Sequence, residues 1–272
     1  MELSRAKVLV TGASTGIGAA LAVALGRAGA TLALVARRAS LLDEVLEEAR
    51  QAGAGTASRR FAADLADART AERVALEAWD ALDGLDAFVS NAAIPKRKRV
   101  TRLTADEVDH VMRVNFLSPV RMILAILPRM LERGRGTIAL VGSITGRIPA
   151  AGESAYVASK YALSGFAETL ACELAGTGVE ARLLTLGPFD TPIWSAADND
   201  TSSYQGPKNP PSLAADAILR ALSGPGPFET FCPEGMRAIV EGKQRDLDAF
   251  IAQMSGNGAP REATVENLVA ER

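Results

Sequence analysis

Tyr156 and Lys160 stand four residues apart in ESAYVASKYALSG, residues 153–165. On a helix this spacing puts both on one face, one turn from each other. Their neighbours Ser154, Ala155, Ala158, Ser159 and Ala162 are small, so a ligand or a second helix can come close. A phenol beside an ammonium suits proton transfer. Alone, a phenol titrates near 10 and is a poor base at neutral pH. An ammonium ~4 Å away, at an effective dielectric of ~20, favours the phenolate by about 4 kcal/mol. That is roughly three pKa units, enough to bring Tyr156 near neutrality. A chance pair on a solvated face is the plainer reading, but it leaves the motifs around it unexplained.

The second chemical stretch is KVLVTGASTGIGAAL, with Gly12, Gly16 and Gly18 between a strand-like run and an Ala-rich helical one. Glycine permits a tight turn and close approach of a ligand to the main chain. The helix that follows offers free N–H groups and a positive dipole end to a phosphate. A strand before such a cluster and a helix after it are the context of a dinucleotide site. Dinucleotide folds of the NAD type carry a carboxylate ~20 residues beyond the glycines, whereas an arginine there receives the extra phosphate of NADP. Here TLALVA ends at Ala36, Arg37 and Arg38 follow, and the next acid is Asp43. NADP(H) is the expected cofactor, with Arg37 the main contact and Arg38 secondary. The bland alternative is a solvated strand end that also accepts NAD.

Positioning these groups requires alternating elements. Strand candidates are residues 7–11, 31–36, 57–64, 85–90, 137–142 and 179–186, with a weaker one at 227–232. Helical patterns run near 17–28, 41–52, 67–82, 104–132, 154–176 and 213–222. This order predicts an α/β fold: a doubly wound, parallel, seven-stranded Rossmann-type sheet with helices on both faces. Ligands in such sheets sit at the carboxyl ends of the strands, which brings Ser143, after the 137–142 strand, towards Tyr156 and Lys160.

TGASTGIG, then Asp64, NAA at 91–93, Asn115, Ser143 and Tyr156-x-x-x-Lys160, in that order, resemble the short-chain dehydrogenase/reductase family over roughly residues 7–231. The resemblance implies an oxidoreductase that passes hydride between a nicotinamide and a carbonyl or secondary alcohol carbon. Tyr156 would be the general acid/base, Ser143 would hydrogen-bond the reacting oxygen, Lys160 would hold the nicotinamide ribose and lower the tyrosine pKa, and Asn115 would hold a relay water. It places the cofactor on Gly12, Ser14, Thr15, Gly16, Ile17, Gly18, Arg37, Arg38, Asp64, Leu65, Asn91, Ala92, Pro188 and Thr191. Asp64 would face the adenine amino group; a helix N-cap is an equally good reading of it. NAAI departs from the family's Asn-Asn-Ala-Gly, and Leu186 stands where proline is usual before Gly187. Members pair through two long helices, here near 117–132 and 154–176, so a homodimer or homotetramer is expected. A catalytically silent nucleotide sensor on the same scaffold is the rival reading, since fold alone does not give function.

Ile94, Thr145, Ile148, Phe189 and Trp194 flank the site and suggest a small, apolar carbonyl or alcohol substrate. Arg147 reads equally as an anion contact or a solvent-facing side chain. Residues 187–212, with five prolines and little periodicity, form either a substrate lid or a surface excursion. KRKR at 96–99 reads as a solvated loop, with steering of an anion as the alternative. Met236, Ile239, Val240, Leu247, Phe250, Ile251 and Met254 fall on one face of a single helix over 235–254, expected to be buried on its own core or on a partner. Residues 1–254 then make one domain and 255–272 a flexible tail.

The 272 residues carry a net charge of −2, which gives no case for nucleic acid or an anionic membrane. No uninterrupted apolar run approaches the ~20 residues of a membrane span, and no secretory signal is evident at the start. Two cysteines, Cys172 and Cys232, lie in no metal or redox spacing; a cytoplasmic protein fits best, and Cys172 is expected to pack as a small apolar residue. With one histidine, His110, no metal site is expected.

Overall fold

A computed structural model describes residues 1–256; the expected flexible tail, beyond its first two positions, lies outside the described residues. Seven strands form one parallel sheet: β1 (Lys7–Thr11), β2 (Thr31–Ala36), β3 (Arg59–Ala62), β4 (Ala87–Ser90), β5 (Gly136–Val141), β6 (Val179–Leu186) and β7 (Glu229–Cys232). Their spatial order is β3-β2-β1-β4-β5-β6-β7. The order reverses between β1 and β4, where Val8, Leu9 and Val10 pair with Ala87, Phe88 and Val89. Such a switch point opens a crevice at the strands' carboxyl ends. The central strands are apolar along their whole length because both faces are covered: Leu9, Leu32, Leu34, Phe88 and Ile138 are fully buried.

On one face lie α1 (Gly16–Arg27), α2 (Ala39–Gln51) and α7 (Pro211–Ser223), packed with Leu21, Leu25, Leu42 and Ile218. The other carries α3 (Ala68–Ala81), α5 (Ser118–Arg133) and α6 (Ser154–Glu173), packed with Ala78, Met122, Ile126 and Leu163. The reading of a seven-stranded, doubly wound parallel sheet therefore holds.

Two departures from the sequence reading have local causes. The stretch expected as one helix over 104–132 is α4 (Ala105–Met112), a π-helical turn Arg113–Leu117, and then α5. Thr104 and Glu107 cap α4 reciprocally. Pro119, at the start of α5, has no N–H to offer the Asn115 carbonyl four residues back, which disfavours regular α-geometry there. By length and composition this composite is apolar enough to cross a membrane, but Met122, Ile123, Ile126 and Met130 are fully buried in the core.

The expected helix over 235–254 is two helices, α8 (Met236–Arg245) and α9 (Leu247–Gly256). Asp246 breaks them: it is extended, at φ −151° and ψ 97°, and its carboxylate accepts the Ala249 N–H at 2.9 Å, as an N-cap does. The apolar face is split accordingly. Val240 is buried beside Ile148 and Phe231, with Met236 and Phe250 packed against them, whereas Ile239, Leu247 and Ile251 are exposed.

Residues 187–212 are held in place. They contain a 3-10 turn, Pro192–Ser195, and a bridge between Phe189 and Asn209. The Asn209 backbone and side-chain N–H groups both donate to the Pro188 carbonyl, and the Trp194 indole donates to the Phe189 carbonyl at 2.6 Å.

Candidate active site

The carboxyl ends of β1, β4, β5 and β6 open on one cleft of about 950 Å³. Its floor begins at the glycine turn. Gly12 and Gly16 adopt φ of 66° and 58°, the left-handed region that favours glycine. A Cβ on Gly18 would meet the Gly12 carbonyl oxygen at 2.2 Å, so only glycine lets α1 close on the turn. Gly18 therefore makes room and does not line the cleft, whereas Gly12, Ser14, Thr15, Gly16 and Ile17 do. Asn91, at the end of β4, staples the turn: its amide donates to the carbonyls of Thr11 at 3.0 Å and Gly12 at 3.3 Å. Thr11 Oγ1 accepts the N–H groups of Asn91 and Ala92.

Arg37 and Arg38 line the same end of the cleft and are exposed. Arg38 reaches back to the Thr15 hydroxyl at 3.3 Å. Asp64, Leu65, Ala92, Pro188 and Thr191 complete this end. Asp64 is not a helix cap: Asp67 accepts the Thr70 N–H and caps α3, while Asp64 turns to the Ala66 N–H at 3.0 Å. Two exposed guanidiniums, a cradle that a Cβ would fill and a helix N-terminus fit a dinucleotide carrying an extra phosphate.

At the other end Ser143, Tyr156 and Lys160 line the cleft together. Thr145 donates to Ser143 Oγ through its N–H and its hydroxyl. Lys160 is buried and gives its ammonium to the Val141 carbonyl at 2.9 Å; burial lowers its pKa to about 8. Burial pushes the Tyr156 phenol well above its ordinary 10, and the Glu153 charge adds to this. A hydrogen bond from Ser143 and the charge of Arg97 pull only part of the way back. The expected lowering of the tyrosine by Lys160 is thus not what this geometry gives: Lys160 Nζ stands 5.8 Å from the ring centroid, with its hydrogen bond spent on the backbone.

Asn115 lies beneath the cleft, fully buried. It exchanges hydrogen bonds with the Ile94 backbone, accepting at 2.8 Å and donating at 2.9 Å, and also donates to Ser159 Oγ at 3.0 Å. Ser159 in turn donates to the Tyr156 carbonyl at 2.7 Å. Asn115 thereby ties the π turn to the Tyr156 helix.

Ile94, Thr145, Ile148 and Trp194 line the same cleft. Phe189 also touches the cleft but belongs mainly to the core, at 3% exposure. Four side chains stand elsewhere than expected. Arg147 is no substrate contact: it is clamped by Glu229 at 3.0 Å and by Glu168. Cys172 is exposed. KRKR is not solvated: Lys96 and Arg97 are buried, bonded to residues 193–200. The sequence reading also missed Glu153. It lines the cleft one turn before Tyr156, and burial raises its carboxyl pKa against the pull of Arg97.

The family profile for short chain dehydrogenases matches residues 6–202. A hydroxysteroid 11-beta-dehydrogenase 1-like protein of Xenopus tropicalis is 37% identical over 224 residues, 82% of this chain and 77% of that protein. A short chain dehydrogenase from Burkholderia cenocepacia J2315, solved with NADP, is 26% identical, with a TM-score of 0.79 over 96% of this chain and 100% of that one. A short-chain dehydrogenase/reductase from Burkholderia phymatum, solved with NAD, has a TM-score of 0.83 over 92% of this chain and 96% of that one, and at 21% identity it is a likeness of fold.

Proposed function

The chain belongs to the short-chain dehydrogenase/reductase family, and from that premise we propose that it is an NADP(H)-dependent oxidoreductase interconverting a carbonyl and a secondary alcohol on a mainly apolar small molecule. The observation that carries this reading is the meeting of Ser143, Tyr156 and Lys160 in one cleft whose far end presents Arg37 and Arg38. The bound nicotinamide supplies the hydride. Ser143 orients the carbonyl oxygen by hydrogen bonding. Tyr156, held protonated by its buried setting, donates its phenolic proton to that oxygen as charge develops on it. Lys160, fixed by the Val141 carbonyl, would grip the nicotinamide ribose. Arg37 receives the 2′-phosphate and Arg38 supports it from Thr15. Ile94, Ile148 and Trp194 favour an apolar body around the reacting carbon. The test is NADPH oxidation across a panel of ketones and aldehydes. Turnover of apolar members is expected; tight NADPH binding with no turnover of any compound would make the chain a nucleotide sensor instead.

A further inference from the structure

The lid from Pro192 to Asp200 contributes no buried residue, and its Asp198 takes a φ of 58°. Its own packing gives it little reason to hold one shape. Apart from the Trp194 indole bond to the Phe189 carbonyl, what holds it is a neighbouring loop. Arg97, 5% exposed, sends Nη1 to the Ile193 carbonyl at 3.2 Å, Nη2 to the Trp194 carbonyl at 2.9 Å and Nε to the Asp200 carbonyl at 3.1 Å. Its backbone N–H donates to Asn199 Oδ1 at 2.6 Å, and its carbonyl accepts the Asp200 N–H at 2.8 Å. Beside it Lys96 donates to the Asp198 carboxylate at 2.5 Å and pairs with Glu107 at 2.9 Å.

The chemistry of these contacts is specific. Burying a cation costs free energy unless hydrogen bonds replace its water. The three acceptors of the Arg97 guanidinium are all main-chain carbonyls of the lid, so the side chain fixes backbone path and not one flexible partner. A planar fork spreads its donors over three nitrogens and so reaches three separated carbonyls, whereas an ammonium offers all its donors from one point. Arg97, Ile193 and Trp194 all border the cleft that holds Tyr156.

We propose that Arg97 is the positioning residue of the substrate wall: its guanidinium fixes the lid backbone at Ile193, Trp194 and Asp200 and so sets the shape of the pocket facing Tyr156. The lid role stands apart from any turnover; the effect on substrate affinity rests on the oxidoreductase reading above.

The test uses Arg97→Met and Arg97→Lys in the full chain carrying Trp79→Phe. Trp194 is then the sole tryptophan, since the chain has two. Arg97→Met is expected to red-shift Trp194 emission and to speed amide exchange over 193–200 by ~10-fold or more, with sheet amides unchanged. The NADPH Kd should stay within about twofold, and for any carbonyl turned over KM should rise much more than kcat falls. Arg97→Lys keeps charge and stem but loses the fork. It guards against a methionine variant that fails to fold, and its lid exchange should be intermediate. Wild-type lid exchange and Trp194 emission in either folded variant overturns the proposal. If every carbonyl is inert, the oxidoreductase reading fails, while exchange and fluorescence still decide the role of Arg97.

Discussion

Lys160 holds its ammonium 5.8 Å from the centre of the Tyr156 ring and spends its hydrogen bond on the Val141 carbonyl, at 2.9 Å. The spacing of four thus delivers a shared face but not a charge pair. The carbonyl ties the lysine to the end of β5, the strand that leads into Ser143, and anchors the helix that carries the phenol. The phenol keeps its proton because it is buried. That favours Tyr156 as a proton donor, the role needed when a carbonyl is reduced.

The first prediction concerns that proton. Tyr156→Phe keeps the ring and removes the O–H. Turnover in carbonyl reduction should fall by ~100-fold or more, the usual scale of general acid–base catalysis, with the NADPH Kd nearly unchanged. Steady-state kinetics with fluorescence titration of the cofactor would check both; near-normal turnover contradicts the assignment.

The second concerns Lys160 and pH. Its folded pKa of about 8 lies below the ordinary lysine value of 10.5. Between those values the unfolded chain binds a proton that the folded chain does not. Burial of the charged lysine therefore costs stability in full below 8, and that cost is relieved as pH rises towards 10.5. Denaturant unfolding from pH 7.5 to 9.5 should show the wild type gaining on Lys160→Met across that window. A constant gap between the two would mean the lysine titrates normally.

The third concerns the turn. Gly18→Ala places a methyl against the Gly12 carbonyl oxygen, where the distance available is 2.2 Å. Backbone must move, at a cost of about 1–3 kcal/mol, as for other overpacked sites. Thermal unfolding should reveal the loss, and NADPH binding should weaken with it because the displaced turn is the cradle itself. Gly152→Ala, at a positive φ of 79° but with nothing within 4 Å, separates backbone strain from the clash; cofactor binding should survive there.

How much of this was legible follows from how local each cause is. The turn at Gly12–Gly18 and the pairing of Tyr156 with Lys160 depend on neighbours within one strand and one helix, so periodicity and spacing expose them. The clamp on Lys96 and Arg97 was hidden because its acceptors lie 96 to 103 residues further on, and a basic run looks the same whether solvated or clasped. Arg147 was illegible for the same reason, since its acids are Glu168 and Glu229. The break at Asp246 was readable in principle: an aspartate three residues before an N–H it can cap is a start signal. The continuous apolar face across the break masked it.

The last prediction concerns cofactor choice. An NAD-type site needs a carboxylate at the end of β2 to take the ribose hydroxyls; here β2 ends at Ala36 and two exposed arginines follow. Both border the cleft, and the nearby Asp43 is engaged by Arg60 at 2.7 Å, which keeps its charge from competing for the phosphate site. Arg37 lines the cleft, and a guanidinium there would grip a phosphate with two parallel hydrogen bonds. Arg38 touches Thr15 at 3.3 Å, so it reinforces the turn as well as the charge. Arg37→Ala should weaken NADPH by ~10-fold or more, on the scale of a lost charge-assisted hydrogen bond, and NADH by far less. Arg38→Ala should weaken both, because the Thr15 contact serves the part of the cradle common to the two cofactors. Titration of both cofactors against both variants distinguishes these roles, and wild-type efficiency with NADH equal to or above that with NADPH would refute the preference.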